Sequence, residues 1–161
     1  SPACDLNLPE LASLCDVFYI GGTKIGALFG EAVVIMNDDL KKDFRYIMKQ
    51  HGAMLAKGRL LGIQFRELFR DGLYFEMSQN AIDMAVKLRE IFASRGYGFY
   101  VESPTNQQFP ILPENVYEKV KNICELWAEL PDGSRAVRFC TSWCTGEEAL
   151  KELEGLLDGT E

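Results

Sequence analysis

The chain has 161 residues, and 47% of them are hydrophobic. That is enough for one domain, or one and a fraction, with a real apolar core, and it excludes disorder as a description of the whole. The formal net charge is −7, which excludes nucleic acid as the main partner, because phosphate binding needs clustered Lys and Arg. No apolar run reaches the roughly 18–20 residues of a membrane span, so no membrane partner is expected.

The opening Ser1-Pro2-Ala3-Cys4-Asp5 has no basic region followed by an apolar run. No secretory leader is therefore expected, and a start without methionine suggests a processed, excised or tagged chain. The cysteines are Cys4, Cys15, Cys124, Cys140 and Cys144. Their spacing matches no zinc pattern, and Cys140 and Cys144 are too far apart for a C-x-x-C redox pair. Buried, inert thiols in a reducing cytoplasm are the expectation. His51 is the single histidine, so no metal site is expected, and a place at a helix end is its plainer role.

In chain order, residues 9–14 read as a short helix with Pro9 in its first turn. Residues 16–20 are aromatic and β-branched, a strand candidate that Gly21-Gly22 breaks. Residues 30–36 read as a buried strand, and Asn37-Asp38-Asp39 as the cap of a helix over 40–51. A second helical stretch runs over 54–70 and tolerates Gly58 and Gly62, whose spacing suits close helix packing. The clearest helix is 73–94, with Met77, Ala81, Met84, Ala85, Leu88, Ile91 and Phe92 on one stripe.

Beyond Arg95-Gly96 the pattern changes. Residues 97–101 and 107–112 look like strands, and 114–129 like a helix with Val116, Val120, Ile123, Cys124 and Trp127 inward. Residues 136–141 are a further strand. Thr145-Gly146-Glu147-Glu148 has capping-box form before a Leu-rich helix. Phe109 and Trp143 read as core or interface aromatics. The order predicts an α+β unit, a three-stranded sheet with helices on one face. Residues 1–50 supply strands with little to cover them, like an edge torn from a larger α/β sheet, so self-association or pairing with a missing half is expected.

The segment Asp16-Val17-Phe18-Tyr19-Ile20-Gly21-Gly22-Thr23-Lys24-Ile25-Gly26-Ala27-Leu28-Phe29-Gly30-Glu31 carries the most chemical information. A strand ends, two glycines allow a tight turn, and a lone lysine follows a hydroxyl residue among apolar neighbours. Imine chemistry needs a neutral amine, which an apolar setting favours. Glycines let the backbone approach a flat cofactor, and Thr23 is placed to hydrogen-bond a phosphate. By composition alone, a solvated loop lysine is the commoner outcome.

This string resembles the pyridoxal-phosphate (PLP) lysine segment of the threonine aldolase and β-eliminating lyase family. Lys49-Gln50-His51-Gly52-Ala53-Met54 and residues 57–65 resemble the family's next segment. Thr105-Asn106-Gln107-Gln108-Phe109-Pro110 and Val137-Arg138-Phe139-Cys140-Thr141-Ser142-Trp143 resemble its small-domain strands. The resemblance implies the carboxy-terminal half of an aspartate-aminotransferase-like fold: residues 1–50 as the edge of the large PLP-binding domain, and 51–161 as a linking helix plus the small α/β domain.

It further implies Lys24 as the Schiff-base lysine and Arg138 as the anchor of the amino-acid carboxylate, against a plain edge-strand arginine. Thr23 and Lys57 become candidates for the cofactor phosphate, although Gly52-Ala53-Met54-Leu55-Ala56-Lys57 departs from the family's Gly-Gly-Gly-Met-Arg run and a solvated helix lysine fits equally. Asn106 is a candidate substrate contact or a turn residue after Pro104. The activity implied for the parent is cleavage of a β-hydroxy-α-amino acid such as threonine to glycine and an aldehyde, in a homodimer or homotetramer. A β-eliminating lyase or aminotransferase would use the same parts. By itself, the chain reads as inactive, with weak PLP binding at most, or as a non-catalytic folding and association module.

Overall fold

The structure is a computed structural model that describes residues 3–159. The expectations for Ser1 and Pro2 lie outside the described residues. Two compact units divide the chain, Ser1–Glu76 and Met77–Glu161.

The first unit opens with α1, Leu8–Leu14, which carries a cap that the apolar pattern does not announce. Asn7 Oδ1 accepts from Glu10 N at 2.9 Å, and the Glu10 carboxylate accepts from Asn7 N at 2.8 Å. This reciprocal pair satisfies two amides that the first turn leaves orphaned. Strands β1 (Val17–Gly21) and β2 (Glu31–Ile35) pair antiparallel, from Val17↔Ile35 to Gly21↔Glu31. Phe18, Ile20, Ala32 and Val34 are half-buried on one face, while Val17, Tyr19 and Val33 are exposed on the other. A ladder apolar on both faces is the pattern of a strand pair made to be covered twice.

The helix expected over 40–51 is broken. Asn37 caps as expected, its Oδ1 accepting from Asp39 N at 3.0 Å, but the element it caps is a 3-10 turn at Asp38–Lys41. Asp43 then adopts φ 56°, which no helix continues through, and α2 occupies only Phe44–Gln50. His51 is its C-cap. Helix α3 spans Arg59–Phe69 and begins five residues later than expected, after a turn closed by Gly58 N on Leu55 O at 3.0 Å. A Cβ on Gly62 would meet nothing within 4 Å, so none of the described residues makes the close approach expected there.

Helix α4, Leu73–Ser94, has the expected bounds. In the second unit its Met84, Leu88 and Phe92 join Leu112, Val116, Val120, Val137, Phe139, Leu150, Leu153 and Leu157 in one core. The sheet is antiparallel. Strands β3 (Gln107–Gln108) and β4 (Ile111–Leu112) pair with opposite ends of β6 (Arg135–Cys140), with Phe109-Pro110 between them. Strand β5 (Glu125–Glu129) also pairs with β6, with a bulge between Leu126 and Ala128. The four strands thus form three rows, because Pro110 has no N–H to continue the ladder.

Three expectations fail here. Residues 97–101 are not a strand; one isolated bridge, Phe99↔Pro110, is all that forms. The helix expected over 114–129 stops as α5 at Glu114–Val120, and its second half is β5. Ile123 and Trp127 are accordingly 53% and 49% exposed rather than inward. The capping box at Thr145 does not form: Gly146 is the N-cap of α6 (Glu147–Asp158), and Thr145 Oγ1 accepts from Ser142 N at 2.9 Å instead. Ala149, expected on the apolar stripe of α6, is exposed. Arg95, at the end of α4, grips Asp158 of α6 through two nitrogens, at 2.9 and 2.8 Å, and that bond holds the Asp158 carboxyl below its usual range.

Candidate functional site

The lysine turn is built on backbone bonds to one carbonyl. Gly22 O accepts from Ile25 N at 3.0 Å and Ala27 N at 2.9 Å, which folds Thr23–Ile25 into a 3-10 turn. Thr23 and Lys24 are exposed on it. The expected apolar surroundings lie beneath the turn rather than around the amine. Ala27 and Gly22 are buried, and a Cβ on Gly22 would sit 2.6 Å from Ala27 Cβ and 2.9 Å from Phe65 Cζ. Only glycine fits that approach.

Helix α3 is the turn's scaffold, a role that sequence reasoning does not reach. Leu61, Gln64 and Phe65 share one face at helical spacing. The Gln64 carboxamide accepts from Leu28 N at 2.6 Å and donates to Phe29 O at 3.2 Å, so a side chain completes what a neighbouring strand would otherwise supply. Gly30 takes φ +88°, and a Cβ there would lie 2.2 Å from Leu61 Cδ2. From the start of α4, Tyr74 donates its hydroxyl to Gly21 O at 3.1 Å and stacks on Phe69 with centroids 4.9 Å apart. The spacing 61/64/65 is legible as one helix face; what it grips is not.

Lys57 is exposed in the turn ahead of α3, not on a helix, and its carbonyl accepts from Leu60 N at 3.0 Å. Thr23 and Lys24 share one turn, and Lys57 lies on a separate one in the same unit.

Arg138 and Asn106 belong to the second unit. Arg138 lies on β6 directly opposite Glu125 of β5, and its Nη2 donates to the Glu125 carboxylate. Nη1 donates to Gln107 Oε1 at 3.2 Å, and the guanidinium lies 5.6 Å from the Trp127 ring centroid. Trp127 in turn meets Phe109 edge-on at 5.1 Å. The side-chain amide of Asn106 donates to Thr141 O at 2.7 Å and Cys140 Sγ at 3.4 Å, and Asn106 O accepts from Thr141 N at 2.9 Å. Its amide hydrogens therefore fasten β3 to β6. Asn80 of α4 does similar work for the next loop, donating to the carbonyls of Trp143 at 3.1 Å and Thr145 at 3.2 Å. Of the two aromatics expected in a core or an interface, Phe109 is buried and Trp143 is 42% exposed, which leaves it outside the core.

The cysteines depart from expectation. Cys4, Cys140 and Cys144 are exposed, Cys15 and Cys124 are half-buried, and all are free thiols. Burial pushes the Cys124 thiol from 9.0 up to about 11. At pH 8 its thiolate fraction is then about a hundredfold below that of a thiol at the ordinary value. Alkylation followed by peptide mass spectrometry should label Cys124 last; equal labelling of Cys124 and Cys144 contradicts its placement. Among the described residues, no group of three or more His, Cys, Asp or Glu is arranged to hold a metal ion, and no helix is long and apolar enough to cross a membrane.

No protein-family model matches the chain. The low specificity L-threonine aldolase of Pseudomonas sp. (strain NCIMB 10558) is 32% identical over 140 residues, covering 86% of this chain and 40% of that protein. The low specificity L-threonine aldolase of Pseudomonas aeruginosa is 31% identical over 140 residues, with the same coverage. The solved threonine aldolase of Leishmania major superposes with a TM-score of 0.93 at 41% identity, over 99% of this chain and 47% of that one.

At that overlap the fold is shared: a mixed α/β chain with small antiparallel sheets, corresponding to the carboxy-terminal part of a PLP-dependent fold. The chain belongs to the threonine aldolase family. It spans less than half the length of these relatives.

Proposed function

We propose that the chain is the carboxy-terminal portion of a PLP-dependent lyase that cleaves β-hydroxy-α-amino acids, threonine among them, to glycine and an aldehyde. The observation that carries this reading is the lysine turn. Lys24 makes no hydrogen bond or ion pair with the described residues, on a turn locked from below by Gly22, Phe65 and Gln64. An available primary amine on a rigid glycine turn, next to a hydroxyl, is a donor set that suits PLP. Lys24 would hold the cofactor covalently, and Thr23 and Lys57 would bear on its phosphate. When bound, PLP supplies an electron sink for the charge left on the α-carbon. Arg138 would hold the substrate carboxylate through its planar fork. Asn106, with its amide hydrogens engaged, would act by holding β3 against β6 beside Arg138.

In this reading, residues 1–50 are the edge of the large cofactor domain and 51–161 the linking helix and small domain, in a cytoplasmic homodimer or homotetramer. The exposed apolar residues of the β1–β2 ladder favour a second role for the chain alone. Tyr19 is 71% and Val33 53% exposed, and such a surface suits association with the rest of the enzyme or with another copy. The full-length protein, given threonine and PLP, should release glycine and acetaldehyde in equal amounts. A 2-oxo acid that keeps the β-hydroxyl, formed only when a second 2-oxo acid accepts the amino group, would make it an aminotransferase, and release of pyruvate and free ammonia from serine would make it a β-eliminating lyase. The 161-residue chain alone should bind PLP poorly and release neither product.

A further inference from the structure

Arg138 already holds a carboxylate, and it is the chain's own. A guanidinium has five N–H donors, and an incoming carboxylate binds best when two parallel N–H groups face it. Here Nη2 donates to Glu125 and Nη1 to Gln107, so both nitrogens of the outer fork are engaged. The guanidinium centre lies over the Trp127 ring, 5.6 Å from its centroid. The partner carboxylate comes from the residue directly across the ladder, so the backbone register keeps it in place. The Glu125 side chain is 60% exposed, against 33% for Arg138. It can therefore swing into water at little cost, since exposed ion pairs contribute little.

We infer that Glu125 is an internal competitor for the Arg138 carboxylate site, which an amino-acid substrate must displace before its own carboxylate can bind. The inference rests on the reading of Arg138 as the carboxylate anchor. It makes Glu125 a determinant of how weakly the site holds small α-amino acids. An amino acid with a second carboxylate gains nothing here, because Glu125, once displaced, stays beside the site and repels it.

The test uses glycine as probe and the 161-residue chain, with the indole resonance of Trp127, whose ring lies against the Arg138 guanidinium, followed by NMR. Methylamine, which lacks the carboxylate, is the control ligand. Glu125→Gln removes the competing charge, and its expected effect is tighter glycine binding by roughly two- to fivefold, the factor an exposed ion pair is worth. If that variant does not fold, Glu125→Thr, a good strand former, removes the same charge. Methylamine should give no response, and Arg138→Lys should remove the glycine response in both backgrounds.

Glycine affinity that is unchanged or weakened without the Glu125 carboxylate overturns the inference, as does the absence of a glycine response in every background. The two readings fail separately. A PLP label on a lysine other than Lys24, with the glycine response intact, removes the proposed function and leaves this competition standing. A label on Lys24 with no effect of Glu125→Gln does the reverse.

Discussion

Lys24→Ala in the full-length protein should remove the covalent link to PLP and reduce aldol cleavage on the order of a thousandfold or more, because no neighbouring amine sits on the same turn. The turn is fastened by backbone bonds to Gly22 O and by the Gln64 carboxamide on Leu28 and Phe29, none of which uses the lysine side chain. The variant should therefore fold, and its loss is a loss of chemistry. Borohydride reduction of the PLP-loaded wild type, followed by peptide mapping, locates the link. A label on Lys49 or Lys57 sinks the assignment of Lys24. Arg138→Ala should behave differently, with the covalent link retained and substrate binding weakened by about 30–150-fold, equivalent to roughly 2–3 kcal/mol for a charge-assisted pair.

Phe92→Ala should destabilise the second unit by about 3–5 kcal/mol. Phe92 is fully buried, and its ring lies 5.2 Å from that of Phe139 and 6.0 Å from that of Tyr97. It joins α4 to β6, so truncation opens a cavity between helix and sheet that neither can close without breaking the ladder. Against a total of about 5–15 kcal/mol for an ordinary domain, this is a large share. Both tryptophans, Trp127 and Trp143, lie in the second unit, so urea unfolding monitored by their fluorescence reads that unit alone. Ile123→Ala is the discriminating companion. In a helix over 114–129, Ile123 would face the core and its truncation would cost about 2–5 kcal/mol. At 53% exposure, in the turn before β5, it should change stability by no more than about 0.5 kcal/mol. A large effect of Ile123→Ala would restore the helix and remove β5.

Much of this protein is local. The α4 stripe, the strand expected over 16–20, the turn after it and the lone Lys24 arise from periodicity and glycine placement within a few residues of each other, and the structure has each of them, with the strand one residue later at Val17–Gly21. What tertiary contact decided is what local pattern leaves degenerate. Residues 121–129 satisfy a helical stripe through Ile123 and Trp127 as well as a strand, and only the unpaired edge of β6 made them β5. Thr145 had a cap to offer, but its hydroxyl oxygen accepts from the backbone amide of Ser142, and the capping box does not form. Asp43 at φ 56° broke a helix that the apolar pattern ran straight through.

The same holds for the site. Lys24 and Arg138 stand out in the sequence as candidates, because the strings that hold them carry the family resemblance. Gln64 and Glu125 do not. Gln64 is 36 residues from Leu28, and Glu125 is 13 from Arg138, so each matters through a hydrogen bond that exists only once distant segments are brought together. The sequence by itself determined which groups are candidates for chemistry; tertiary folding decided which partners hold them, since a hydrogen bond between remote segments leaves no periodic trace in the chain.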